Sequence, residues 1–201
     1  RRITNGQHDY TALKVAGNEL IGTRTSMANP AEVFAVNSLT GADRRLSFAT
    51  DEPWNNIAKG NVERRTVKTV DGKDMNVWMI FPPGFDAKKK YPALLYCQGG
   101  PQSALSQFFS YRWNMQMMAA NGYIVVAPCR RGMPGSGQAW NDAISGDWGG
   151  GAMQDLLAAS DYAAKEPYVD ATRMGAVGAS FGGYSVYWLA GNHQKRFKAF
   201  I

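Results

Sequence analysis

Histidine is scarce in this chain, with only His8 and His193 among 201 residues, and cysteine is equally sparse at Cys97 and Cys129. Four residues scattered so widely do not give the ligand spacing of a metal centre, so no metal site is expected. The cysteines each end an apolar run and are read as buried free thiols, and two of them do not fix a redox compartment. Long apolar runs are also missing. No stretch reaches the roughly 18 to 20 consecutive apolar residues of a membrane-spanning helix, and no charged, apolar and small-residue series opens the chain as a signal peptide would. Runs of like charge are almost absent despite a net charge of +6. The one run, Lys88 to Lys90, sits between Phe85-Asp86 and a strand opening at Tyr91, which reads as a solvated loop and not as a nucleic-acid-binding face. The glycines from Gly146 to Gly151 lack the Gly-Lys-Ser/Thr ending of a phosphate loop and read as a turn before a helix, so no cofactor is expected.

What is present is enough for one well-buried domain and a small second unit, at 45% hydrophobic and 19% charged residues. The chain opens at Arg1 and stops at Ile201 inside the apolar run Phe197 to Ile201, so a fragment is expected. Four short β-type runs come first: Tyr10 to Val15, Glu19 to Thr25, Ala31 to Ser38 and Arg44 to Thr50. Four strands in about 40 residues is the period of one propeller blade, which cannot bury both faces unless neighbours stack on it. Residues 1–52 are therefore read as the last blade of a β-propeller, with a small β-sheet add-on as the alternative. Residues 53–61 show no period and read as a linker.

From residue 62 to 201 the pattern changes. Val62 to Val70 and Met75 to Phe81 flank Asp71-Gly72 as a hairpin. Strand and helix then alternate: strand Ala93 to Cys97, helix Phe108 to Ala120, strand Tyr123 to Ala127, helix Gly151 to Lys165, strand Arg173 to Val177. Asp155, Asp161, Lys165 and Glu166 fall on the polar side of the second helix and are expected to solvate it. Apolar strands separated by helices imply a parallel sheet covered on both faces, which is an α/β domain.

The strand at Met174 to Val177 runs into Gly178-Ala179-Ser180-Phe181-Gly182-Gly183, and Tyr184 to Leu189 follows as helix. This Gly-x-Ser-x-Gly elbow marks α/β-hydrolases: the serine, Ser180, is the candidate nucleophile in a strained turn, and Gly178, Gly182 and Gly183 form the elbow where strand and helix crowd together. A helix N-terminus follows, whose N–H groups favour charge developing on a substrate oxygen. A second glycine loop, Gln98-Gly99-Gly100-Pro101, ends the strand Ala93 to Cys97. In this fold it supplies the other oxyanion donor, so Gly99 N–H and Phe181 N–H are the candidate pair.

A serine nucleophile needs a base. His193 lies at the far side of a helix rising about 1.5 Å per residue, roughly 20 Å from Ser180, whereas proton transfer needs about 3 Å. In this fold the partners follow in the order serine, acid, histidine, so Asp155, Asp161 and Asp170 are excluded and both missing groups are expected beyond Ile201. The fragment alone is expected to be inactive, and an apolar sheet edge is expected to limit its solubility.

The chain resembles the prolyl oligopeptidase family of serine peptidases, in its acylaminoacyl-peptidase and dipeptidyl-peptidase V branch. The resemblance rests on Pro30-Ala31-Glu32-Val33-Phe34 with Gly41, Asp71-Gly72, Pro82-Pro83-Gly84-Phe85-Asp86, Lys90-Tyr91-Pro92, Gln98-Gly99-Gly100-Pro101, Arg130-Arg131-Gly132 with Gly135 and Gly137, Gly146-Asp147-Trp148-Gly149-Gly150, and the elbow through Tyr184. It departs at Gln98, where this branch often has histidine. The resemblance implies a propeller capping a hydrolase domain, with short peptides cut near their N-terminus. It also implies a periplasmic or secreted enzyme, with a cytoplasmic one as the alternative, and leaves a homodimer open. Two other readings stand beside the exopeptidase: a carboxylester hydrolase with the same nucleophile, and a noncatalytic binding module.

Overall fold

Turn residues cut the first part of the chain into short strands. β1 (Asp9–Ala16), β2 (Glu19–Ser26), β3 (Asn29–Asn37) and β4 (Asp43–Arg45) pair antiparallel in that order. The computed structural model describes residues 2–201. They divide into one unit running to Lys59 with Ser106–Gln116 added, and another made of Gly60–Leu105 and Met117–Ile201.

In the first unit the meander is the form of a propeller blade. The fourth strand is shorter than the predicted Arg44 to Thr50. The cause is the carboxylate of Glu32, which lies almost fully buried on β3 and accepts from Ser47 Oγ, from Thr50 N at 2.7 Å and from Thr50 Oγ1 at 2.6 Å. These bonds draw the chain out of the ladder and into the short helix α1 (Asp51–Asn55). Residues 108–114 are likewise not helical, contrary to the predicted helix Phe108 to Ala120. Ser110 Oγ accepts from Arg112 N and Trp113 N at 3.2 and 3.0 Å, a local turn that competes with helix bonding.

The second unit has the α/β-hydrolase fold. Its sheet runs β10-β9-β7-β8-β6-β5. The strands are β5 (Val62–Lys68), β6 (Asp74–Ile80), β7 (Tyr91–Cys97), β8 (Ile124–Pro128), β9 (Val169–Gly178) and β10 (Ala199–Phe200). β5 and β6 form an antiparallel hairpin about Gly72, whose φ of 78° suits glycine, and the other neighbours from β8 to β10 are parallel. α2 (Met115–Ala120) begins in the residues of the first unit and ends in those of the second, and α3 (Gln138–Asp142), α4 (Gly151–Ala164) and α5 (Phe181–Asn192) belong to the second. α4 and α5 pack on the sheet and on one another.

Strand residues alternate between two faces. Met75, Val77, Met79, Ala93, Leu95, Ile124, Val126, Met174 and Ala176 join α4 and α5 in one apolar core. The intervening Trp78, Ile80, Leu94, Tyr96, Val125 and Val177 are buried as well, so both faces of the sheet are covered. Each fully buried Leu, Met or Val side chain contributes about 1.5–3 kcal/mol, and this double-sided core makes the sheet a firm base for loops at its strand ends.

Candidate active site

β7 connects onward to β8 on one side of itself, whereas the chain returns to β9 on its other side. The carboxyl ends of β7 and β9 therefore flank the point at which the strand order reverses, the place where open α/β sheets bind ligands. Gln98-Gly99 leaves β7 there, and Ala179-Ser180 leaves β9.

Ser180 takes φ 59° and ψ −126° and caps α5. This is a backbone conformation that an L-residue with a side chain adopts only under constraint, and it lifts the hydroxyl off the strand line. The constraint is visible in the glycines. A Cβ on Gly178 would stand 2.6 Å from Gly182 O and 2.7 Å from Cys97 O, and one on Gly182 would collide with Cys97 O itself. β7, β9 and α5 approach so closely there that side chains are excluded at both positions. Gly183 is different: a Cβ there would be 3.7 Å from Gly178 O, an ordinary contact.

The structure brings Gly99 to this elbow. A Cβ at Gly99 would lie 3.0 Å from Ala179 O and 3.4 Å from Ser180 Cβ. The candidate loop and the candidate nucleophile thus touch through backbone. Phe181 opens α5, is 5% exposed, and packs edge-on against Trp148 at 5.4 Å and beside Tyr184 at 5.4 Å. The Gln98 side chain is tied back to its own strand, its Oε1 accepting from Tyr96 Oη at 2.8 Å. Burial pushes the Tyr96 phenol up to about 12, with Cys97 adding to the rise, so it stays a donor at neutral pH.

His193 caps the far end of α5, where Nδ1 accepts from Phe197 N at 3.2 Å. It is about 20 Å along the helix from Ser180, too far to take its proton. The three excluded aspartates have other partners. Asp161 binds Arg196 at 2.6 Å, and Asp170 accepts from Thr172 and Arg173. Asp155 does not solvate α4 as predicted. It is 0% exposed and receives Arg131 Nε at 2.9 Å, Arg131 Nη2 at 2.8 Å and Arg131 N at 2.8 Å. A carboxylate can be buried this deeply only when paired and hydrogen-bonded. Both cysteines are free, and burial raises the Cys97 thiol to about 12 and the Cys129 thiol to about 11, which leaves neither poised as a nucleophile.

Residues 109–201 match the prolyl oligopeptidase family. The whole chain is 52% identical to dipeptidyl-peptidase 5 of Porphyromonas gingivalis and 49% identical to that of Porphyromonas endodontalis, over all 201 residues in each case. The chain belongs to the prolyl oligopeptidase family. It spans 29% of the length of each of these two relatives. Among solved structures, the acylaminoacyl peptidase of Pyrococcus horikoshii superimposes with a TM-score of 0.86 at 25% identity, covering 98% of this chain and 31% of that one.

Within this prolyl oligopeptidase fold, Arg130 is the residue whose role sequence reasoning missed. It stood only as part of the Arg130-Arg131-Gly132 motif, yet it is 0% exposed, and its Nη2 donates to Gln98 O at 3.1 Å and Pro101 O at 3.2 Å. The available signal was two adjacent arginines directly after the apolar strand β8, a place where charge is costly unless something nearby binds it. Among the described residues no helix is long and apolar enough to cross a membrane.

Proposed function

We propose that this chain carries the nucleophile and oxyanion hole of a serine exopeptidase that releases dipeptides or acylated residues from the N-terminus of short peptides. Ser180 attacks the scissile carbonyl, and Gly99 N–H and Phe181 N–H receive the oxygen as it becomes negative. The scissile C–N bond then breaks, the rest of the peptide leaves as an amine with the proton that the base took from Ser180, and water hydrolyses the acyl-enzyme left on Ser180. Acid and base are proposed to follow Ile201 in the order acid then histidine.

The observation that carries this reading is the juxtaposition of a positive-φ Ser180 at the head of α5 with the Gly99 backbone packed against it. A serine in a surface turn needs neither the strain nor the second glycine loop. The names of the relatives support the peptide-cleaving class over an esterase, and dipeptide release over acylated-residue release, because the two sequence relatives quoted above are both dipeptidyl peptidases.

The test uses the full-length protein. Wild type is expected to take a fluorophosphonate label on Ser180 and to release p-nitroaniline from dipeptidyl p-nitroanilides. Ser180→Ala is expected to lose the label and at least about 10⁴-fold of kcat. Unchanged turnover in Ser180→Ala would reject the assignment, and cleavage of p-nitrophenyl esters without p-nitroanilides would move the protein to the esterases.

A further inference from the structure

A peptide unit is planar and trans, so its C=O and N–H point in opposite directions and fixing one fixes the other. The Gln98 carbonyl and the Gly99 N–H share one such unit. That carbonyl accepts from Arg130 Nη2 at 3.1 Å. The same nitrogen reaches Pro101 O at 3.2 Å, while Nη1 reaches Pro101 O at 3.3 Å and Arg131 O at 3.0 Å. One guanidinium therefore holds the carbonyls on both sides of Gly99-Gly100. Its Cζ also lies 4.4 Å over the ring of Phe181, the residue that offers the second N–H.

Packing alone does not account for such a residue. Arg130 is wholly buried, forms no ion pair with a carboxylate among the described residues, and leaves its Nε without a partner. Removing a cation from water with only carbonyl dipoles to receive it is costly, and an apolar side chain would fill the space more cheaply. Burial lowers its pKa to about 10, with Cys97 and Asp155 opposing, which leaves it cationic at neutral pH. A cation on the Gln98 carbonyl also polarises that amide and strengthens its N–H as a donor. Lysine would bring the charge but not the planar fork that spans several carbonyls.

We propose that Arg130 is a positioning residue for the oxyanion hole: through the Gln98–Gly99 peptide plane it aims the Gly99 N–H, and through its face it seats Phe181 beside it. This rests on the serine-hydrolase reading above.

The experiment compares full-length wild type with Arg130→Lys and Arg130→Gln. Active sites are first counted by fluorophosphonate labelling carried to completion. Then kcat per labelled site, KM, and affinity for a substrate-like peptide aldehyde, whose adduct oxygen occupies the oxyanion position, are measured. Both variants are expected to lose about 10²-fold in kcat per site and a similar factor in aldehyde affinity, while KM moves less than about 3-fold. A merely structural role would lower the number of labelled sites and leave kcat per site and aldehyde affinity alone, and that result overturns the proposal. So does the absence of any labelled site in both variants, which would make Arg130 a folding residue. If wild type itself takes no label on Ser180, the hydrolase reading fails first and the role of Arg130 falls with it, an outcome distinct from a labelled wild type with unaltered variants.

Discussion

The two sheets of this chain solve burial in different ways. The six-stranded sheet is covered on both faces, with strands β7 and β8 buried almost throughout. The four-stranded sheet leaves much of β1 open, with Leu13 at 49% and Val15 at 79% exposure. A parallel sheet wound with helices carries its own cover, whereas one antiparallel blade depends on neighbours for its second face. The difference extends to the buried carboxylates. In the hydrolase unit Asp155 is matched by the fork of Arg131, while in the blade Glu32 is held mainly by the hydroxyls of Ser47 and Thr50, with Arg45 at 3.2 Å.

The sharpest test of the contrast lies in the glycines. Gly182→Val places a side chain into the Cys97 carbonyl and forces β7 and α5 apart. It is expected to lower kcat at least about 10³-fold, as loss of oxyanion geometry does. Gly17→Ala in the blade has a φ of 59° but nothing within 4 Å, so it is expected to cost only about 1 kcal/mol of stability and no activity. Steady-state kinetics and thermal melts of both full-length variants check this, and equal effects on activity would erase the distinction.

Core deletion gives the next effect. Leu156→Ala, at a fully buried site on α4, is expected to destabilise by about 2–5 kcal/mol in urea unfolding. Val15→Ala is expected to cost less than about 0.5 kcal/mol as an exposed position. If Val15→Ala in the full-length protein instead costs as much as a core deletion, another part of the polypeptide covers β1.

The smallest effect is a pH dependence of the blade. Burial raises the Glu32 pKa, but bonds from Ser47, Thr50 and Arg45 outweigh it and bring it from 4.5 down to about 2. A carboxylate depressed in the folded state stabilises above its unfolded pKa and loses that contribution as pH falls through its folded pKa. Blade stability is thus expected to decline between about pH 4.5 and 2, and Glu32→Gln should flatten that slope while lowering stability at pH 7. Hydrogen exchange on β3 and β4 across this range reads it directly; an unchanged slope in Glu32→Gln would place the acid sensitivity elsewhere.

Some features were legible from the chain because their causes are local. The apolar runs of β6, β7 and β8, the turn at Asp71-Gly72, and the Gly-x-Ser-x-Gly spacing each reflect constraints acting within a few residues. Gly99 could be named because a glycine loop at the end of a strand has a defined place in an α/β-hydrolase. Asp155 was misplaced because helical periodicity sees a polar residue and not the guanidinium that arrives 24 residues earlier in sequence. The shortening of β4 and the loss of helix over residues 108–114 came from side-chain oxygens competing for backbone N–H groups, an outcome that propensity alone does not decide.

By itself, then, the amino-acid order determined the two kinds of sheet, the elbow at Ser180 and the absence of a usable histidine, because periodicity, glycine spacing and composition act through short stretches of chain. Only the tertiary structure decided that Gly99 meets Ser180, that Arg130 joins the Gly99 loop to Phe181, and that Asp155 belongs to the core. These contacts depend on bringing the ends of β7, β8 and β9 together, and burial turns a charge that could sit in water into one that must be held by named partners.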